Sequence, residues 1–398
     1  MGGSGLDAFL GQSLGGAERI GHADAEGDDG DILANAGDAR LADGSRVNVI
    51  IPPLALKGAP AGRTTLYRMG RDTPSATAFW LCWTDTVHVT RGFDTSDTTE
   101  RTYYTGSGTP KWTNNNIGLS GGAPYPQVSR ELSVPAPTTA PQIAMGTDGT
   151  TGTESVNFYV TTFVNELGWE SAPSPVSTGL SMKPGAVVNI GNTIALESAP
   201  AGNYGINRRR IYRTQTGTNG TAEFFFLREV AIATTVTSDD ARALGELLPT
   251  EGFLPPPSAG FGIISLWGGM MAMLGGRALY VSEAGYPYAY PLRNQKELKD
   301  TPVATAKWAQ NLLVLTSGAP VVFNGQDPQS LSDQPPRMAH ACLSARSVVG
   351  FAHGVVWSSN EGLAYYGDRS VVENDGGITS IHAAAIDHAD EMLLRRKI

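Results

Sequence analysis

The sequence predicts a mainly β protein: propeller-like, repeated antiparallel blades interrupted by an inserted immunoglobulin-like β-sandwich. Three observations predict it. First, the stretch Gly269 to Tyr280 (two short apolar strands about a small-residue turn, ending in an aromatic) recurs from Asn311 to Phe323 and from Gly354 to Tyr365. The starts lie 42 and 43 residues apart and the aromatics 43 and 42, a strand-built period of roughly 40 to 45 residues that marks blades rather than a helical solenoid. Second, 48 glycines, 25 prolines and only 17% charged residues in 398 suit many short strands joined by tight turns. Third, strand signals at near-regular spacing fill the span between Pro135 and Pro257. Three ordinary hairpins of a sandwich remain the alternative reading of the repeat.

In chain order, residues 1–40 form a Gly-rich acidic arm with ten glycines and eight acids against Arg19 and Arg40, too polar to build a core. The arm is a candidate assembly element. Residues 41–134 hold the first blades. Asp43-Gly44 is a turn signal, Val47 to Ile51 a strand, and Thr64–Arg68, Ala78–Trp83, Thr86–Arg91 and Arg101–Thr105 are rich in β-branched and aromatic residues. Phe79, Trp80, Trp83, Tyr103, Tyr104 and Trp112 concentrate aromatics there, as core packing or as a sugar-stacking platform.

Residues 135–257 are the sandwich, entered through Pro135, Pro137 and Pro141 and closed by Pro255-Pro256-Pro257. Its strands are expected at Val156–Val164 as one strand, Val187–Ile190, Arg209–Thr214, Phe224–Ile232 and near Val236, followed by a short helix Ala241–Leu247 that Asp239-Asp240 would cap. Further blades occupy residues 258–378. In residues 379–398 the apolar positions Ile381, Ala385, Ala389, Met392 and Leu393, with Arg395 and Arg396 late, predict an amphipathic helix.

The chemistry points away from an enzyme. Net charge is −9, of which the arm carries −6, so no Lys/Arg face for tight phosphate binding is implied. Cys82 and Cys342 lack metal-ligand spacing and are expected as buried thiols. The charge-free run Gly252–Gly276 holds three prolines and seven glycines; its apolar part, Ile263 to Leu274, is too short to span a membrane. His382, Asp387, His388 and Asp390 could be drawn as ligands, but a spacing of six turns the histidines apart on a helix. No phosphate-cradling loop, Gly-x-Ser-x-Gly elbow or His-Glu-x-x-His is present. Ser358–Gly362 is faintly like a sialidase turn, yet Arg208-Arg209-Arg210 falls in the sandwich instead of beside it. No catalytic, cofactor-binding or metal residues are assigned, and no cofactor.

Certain runs carry a resemblance. Tyr159-Val-Thr-Thr-Phe-Val-Asn-Glu-Leu-Gly-Trp-Glu-Ser-Ala-Pro-Ser-Pro175, with Arg210-Ile-Tyr-Arg-Thr214, resembles a fibronectin type III module as inserted in phage virion proteins. Thr99–Lys111 and Leu247–Pro257 are similar to tailed-bacteriophage structural proteins. Tyr280-Val-Ser-Glu, Tyr290-Pro291 and Asp300-Thr-Pro-Val303 resemble more narrowly the nozzle (tail tubular protein B) family of short-tailed phages. Together these cover about residues 63–375. The resemblance implies a virion tail location, a homo-oligomer of six copies in a ring, contacts with tail adaptor and fibre proteins, and transient passage of genomic DNA without specific binding or a membrane span. A receptor-binding or fibre-docking tail protein is the alternative, and a sugar-processing propeller enzyme a further one.

Overall fold

A computed structural model describes residues 62–69, 79–191, 193–216, 222–240, 243–334, 339–350 and 354–367, together with the backbone of strands Asp38–Arg40, Arg46–Asn48 and Met392–Leu394. The chain is mainly β, built as many small antiparallel sheets. Strands β1 (Asp38–Arg40) and β2 (Arg46–Asn48) pair as a hairpin, as do β3 (Thr65–Met69) and β4 (Phe79–Trp83). A four-stranded meander follows: β5 (His88–Arg91), β6 (Thr102–Thr105), β7 (Lys111–Thr113) and β8 (Arg130–Glu131).

Eight strands come next: β9 (Ile143–Thr147), β10 (Ser155–Asn157), β11 (Tyr159–Asn165), β12 (Leu180–Met182), β13 (Val187–Ile190), β14 (Ile206–Thr216), β15 (Ala222–Ala231) and β16 (Thr237–Asp239). Sheets β16-β13-β9 and β11-β14-β15 enclose one core, with Val188 and Ile190 from the first against Tyr159, Ile211 and Leu227 from the second.

Three more four-stranded meanders end the chain. They are β17 (Phe261–Ser265), β18 (Met271–Gly275), β19 (Ala278–Val281), β20 (Lys296–Glu297); β21 (Pro302–Trp308), β22 (Asn311–Thr316), β23 (Val321–Asn324), β24 (Ser332–Gln334); and β25 (Val349–Gly350), β26 (Gly354–Ser359), β27 (Gly362–Gly367), β28 (Met392–Leu394). The predicted repeat falls on equivalent places. Gly269 leads into β18, while Asn311 opens β22 and Gly354 opens β26, each the second strand of its sheet. Tyr280, Phe323 and Tyr365 all lie on the third. In the last copy the Tyr365 ring covers Gly354, where a Cβ would stand 2.6 Å from the ring; the glycine leaves room for the aromatic.

Alternation explains why these sheets stack. Met271 and Met273 of β18 point into one core while Ala272 and Leu274 point into the next. On β22, Leu312 and Val314 join Leu274 and Leu279, whereas Leu313 and Leu315 join Val355 and Trp357 of the last sheet. Successive side chains of a strand leave opposite faces, so each central strand is apolar on both sides and needs a sheet on each. The first strands run against one another, β5 with β17 and β17 with β21, and β21 lies against β25 and β26. Side chains stitch them: Ile263 N donates to Thr105 Oγ1 (3.3 Å), Ser265 N to Thr90 Oγ1 (3.2 Å), and Thr305 Oγ1 to Gly262 O (2.6 Å).

Several expectations are corrected. Val156–Val164 is two strands, because the chain changes partner at Phe158: β10 pairs with β12 and β11 with β14. No helix forms over Ala243–Leu247; this segment runs beside β15, with Gly245 N on Phe226 O and Phe226 N on Glu246 O. The strand edge offers unpaired backbone groups, and Leu244 and Leu248 reach two apolar clusters from there. Met392–Leu394, expected as helix, is strand β28 paired to β27. The rest of that predicted helix, residues 1–37 of the arm and the Asp43-Gly44 turn lie outside the described residues.

The outer edge of β11 is covered by a segment with no ladder of its own. Ser171, Ser174 and Ser177 donate their N–H groups to Phe163 O, Thr161 O and Tyr159 O, while their hydroxyls accept from the N–H groups of the same three residues. Serines three apart thus meet strand residues two apart, and Pro173 and Pro175, which have no N–H, fall between. Ser174→Ala would leave the buried Thr161 amide unpaired, and we expect a loss of about 1–3 kcal/mol in urea unfolding, with Val176→Ser at an exposed position of the same segment as the control.

Candidate functional site

The best-defined polar and aromatic constellation lies where the two-layer unit meets the meanders. It begins in the turn after β11, where Asn165 Oδ1 accepts from Leu167 N and Trp169 N, both at 3.0 Å, and so sets the turn that projects Trp169. The indole stacks on Tyr288 (centroids 4.9 Å, 19°), lies edge-on to Trp112 (5.6 Å) and near-parallel to Tyr103 (6.4 Å). Three units therefore share one aromatic cluster: the turn, the β5–β8 sheet and the loop after β19. The Arg101 guanidinium lies 5.9 Å from the Trp169 ring, a cation–π contact. Burial pushes the Tyr103 phenol up to about 12 despite Arg101 beside it.

Next to Trp169, Glu170 is almost fully buried. Its carboxylate accepts from Thr162 Oγ1, from Tyr212 Oη at 2.6 Å and from Arg210 Nη1 at 2.6 Å. Arg210 also holds Glu229 at 2.9 Å. Tyr288 Oη binds both backbone groups of Glu170, accepting from N and donating to O at 2.9 Å each. Burial first, and then the Glu170 carboxylate, push the Tyr212 phenol well above its ordinary value, so it stays a donor. A buried carboxylate with three hydrogen-bond partners fixes the turn that carries it.

The predicted residues are placed as follows. Arg208-Arg209-Arg210 lies on β14 and splits by strand alternation. Arg208 and Arg210 pair with Glu229, while Arg209 is fully buried over the Phe163 ring and donates to Thr234 O and Glu197 O. Asp239 is the last residue of β16 and not a helix cap; it is fully buried, accepting from Arg213 Nη1 (2.6 Å) and Tyr159 Oη (2.9 Å). Trp80, Trp83, Tyr103, Tyr104 and Trp112 are buried and turned into cores, which removes them as an exposed sugar platform. Cys82 and Cys342 are buried thiols outside any disulfide, both pushed up by burial. Ser358–Gly362 forms the β26–β27 turn. His382, Asp387, His388 and Asp390 lie outside the described residues.

Among the described residues no three His, Cys, Asp or Glu side chains gather to hold a metal ion, and no helix is long and apolar enough to cross a membrane. A cavity of about 100 Å³ opens beside Trp169, among Phe93, Asp94, Asp97, Arg101 and Tyr103; Asp94 and Asp97 are already bonded to Ser96 and Thr99.

The proline entry segment is also tied down. Glu197 accepts from Thr138 N and Oγ1 and from Thr139 N and Oγ1, at 2.6 to 3.0 Å. Asn203 bridges to β8, with Glu131 N on Asn203 O at 2.9 Å, and Arg130 pairs with Glu166 at 2.8 Å. Sequence reasoning missed Glu170, Glu197 and Trp169 as anchors. Only the period-three serines beside Glu170 were a visible signal. No protein-family model matches the chain, and no curated protein matches it.

Trp169→Ala would remove the ring shared by three units. We expect a loss of about 3–5 kcal/mol in urea unfolding, with faster proteolysis of the two-layer unit than of the meanders. Glu197 gives a pH signature. Burial alone would raise its carboxyl, but the Thr139 and Thr138 hydrogen bonds outweigh that and hold it below the usual range. A depressed folded value contributes stability that is present above the unfolded value, near 4.3, and is lost as pH falls through the folded one. Glu197→Gln should therefore melt lower than wild type at pH 7, with the gap closing in acid.

Proposed function

We propose that this chain is a structural component of a phage tail, a nozzle-like subunit that assembles into a ring and extends the DNA channel. On this reading the meanders are blades of a propeller and the two-layer unit is an inserted fibronectin III-like module. The observation that carries it is the equivalence of Gly269, Asn311 and Gly354 in three consecutive four-stranded sheets whose first strands run against each other. The β5–β8 meander has the same order, and β3-β4 packs on it through Leu81, Trp83, Val87 and Tyr104. Arg346 Nη2, just before the last sheet, donates to Thr86 Oγ1 just before β5, at 2.9 Å. On this reading the four meanders and the hairpin turn about a common axis, and the Arg346–Thr86 contact supports closure within one chain.

Function then follows from assembly and not from bond-making. The module leaves after β8 and returns before β17, braced at Trp169, Glu170, Glu166 and Asn203, which suits a rigid docking arm for tail adaptor or fibre proteins. An acidic chain lets DNA pass through a shared lumen by repulsion instead of holding it. Heterologous contacts that close by rotation give the ring, six copies on the nozzle resemblance.

Mass photometry and particle averaging of the purified chain test this. We expect a single closed assembly with a central hole; compact monomers at every concentration would overturn it.

A further inference from the structure

A cleft of about 440 Å³ opens between the β18–β19 turn and the segment Pro257 to Ala259, by which the chain returns from the two-layer unit. Its volume is that of a small-molecule site. Gly275 brings two ring walls together there: a Cβ on it would stand 3.0 Å from the Pro257 ring and 3.0 Å from Tyr280 Cε2. Pro257 is fixed in turn, its carbonyl accepting from Gly260 N at 2.9 Å. Across the sheet Ala278 pairs with Glu297. Two residues along each chain, Tyr280 and Gln295 leave the same face, so phenol, amide and carboxylate line one side of the cleft. Gln295 Nε2 donates to Glu297 Oε1 at 2.9 Å. Arg277 stands exposed at the turn, its backbone O accepting from Leu298 N. Among the described residues no protein group fills the Arg277 guanidinium, the Tyr280 hydroxyl or Glu297 Oε2.

We infer that this cleft binds a neutral sugar. Charge and shape select that class. Arg277 and Glu297 line it with opposite signs, so a phosphate or sugar acid meets the carboxylate and a simple cation meets the guanidinium. An apolar ligand would strip water from a guanidinium, a carboxylate and a phenol without replacing its hydrogen bonds. A pyranose meets each requirement. Its C–H face lies on the Tyr280 and Pro257 rings, its hydroxyls donate to Glu297 Oε2 and to the Gln295 amide oxygen, and its oxygens accept from Arg277. The bond from Gln295 holds the carboxylate in place beforehand, which lowers the cost of binding. Trp80, Trp83, Tyr103, Tyr104 and Trp112 are buried, whereas Tyr280 is half-buried and offers its hydroxyl to a ligand. One chain holds the whole cleft, so the site stands apart from the ring proposed above.

Saturation-transfer NMR on the full chain tests this with the methyl glycosides of glucose, galactose and mannose, and with glucuronate and inorganic phosphate as competitors. We expect transfer to the ring C–H protons of at least one hexoside. Glu297→Ala should weaken that binding at least roughly tenfold, as for loss of a charged hydrogen-bond partner. Glu223→Ala, which removes an exposed acid from the two-layer unit, should bind like wild type. No transfer to any of the three hexosides overturns the inference, as does a Glu297→Ala chain that binds like wild type. Displacement of the hexoside by phosphate or glucuronate at lower concentration than by the hexoside itself overturns it too. Should Glu297→Ala melt below Glu223→Ala, Glu297→Gln, which keeps the shape and removes the charge, is held to the same outcomes. Transfer to a monomer and to a ring count alike, so the result is separate from the fate of the ring.

Discussion

The structure depends on strands that are apolar on both faces. Leu312 and Val314 of β22 enter one core and Leu313 and Leu315 the next, all fully buried. At about 1.5–3 kcal/mol for burying each such side chain, four on one strand outweigh any hydrogen-bonding preference of the hairpin that carries them. A four-stranded meander with two oily faces has no stable existence alone. It must sit between two others; β21–β24 finds them in its neighbours in sequence, while β17–β20 meets β5–β8 across the inserted two-layer unit. The repeat is therefore a packing requirement written along the chain.

The two-layer unit interrupts that series after β8, and its attachment follows a different logic. Its join to the meanders is aromatic and polar: Trp169 sits between Tyr288, Tyr103 and Trp112, Tyr288 Oη holds both backbone groups of Glu170, and Arg130 pairs with Glu166, while within the unit the Glu170 carboxylate is fixed by Arg210, Tyr212 and Thr162. A largely buried ion pair contributes little net stability, but removing one partner costs about 3–5 kcal/mol. Its effect is selective: other placements of the turn would strand the Glu170 charge. The aromatic stack supplies the burial and the carboxylate supplies the direction. A unit held this way keeps one orientation relative to the meanders.

Both edges of the sheet β11-β14-β15 are closed without regular strands. Serines 171, 174 and 177 satisfy β11, and residues 245–248 satisfy β15. Open edges invite pairing with other chains, and these two are blunted without adding strands.

Much of the fold was legible in residue order. The strands Thr65–Met69, Phe79–Trp83, Val187–Ile190 and the hairpins at Met271, Asn311 and Gly354 announce themselves through alternation and small-residue turns, since period two is a local property of backbone and side chain. The burial of both cysteines was legible from their wide separation and lack of metal-ligand spacing. What the order of residues could not convey is which partner each face meets. The switch at Phe158, the extended run at residues 243–248 where a short helix after Asp239-Asp240 was expected, and the pairing of Met392–Leu394 with β27 were decided by edges and cores that the distant chain presents. The same holds for Glu170, Glu197 and Asp239. An acid in a sequence looks like any other acid, and only a folded neighbourhood of arginines, tyrosines and threonines makes one a structural anchor.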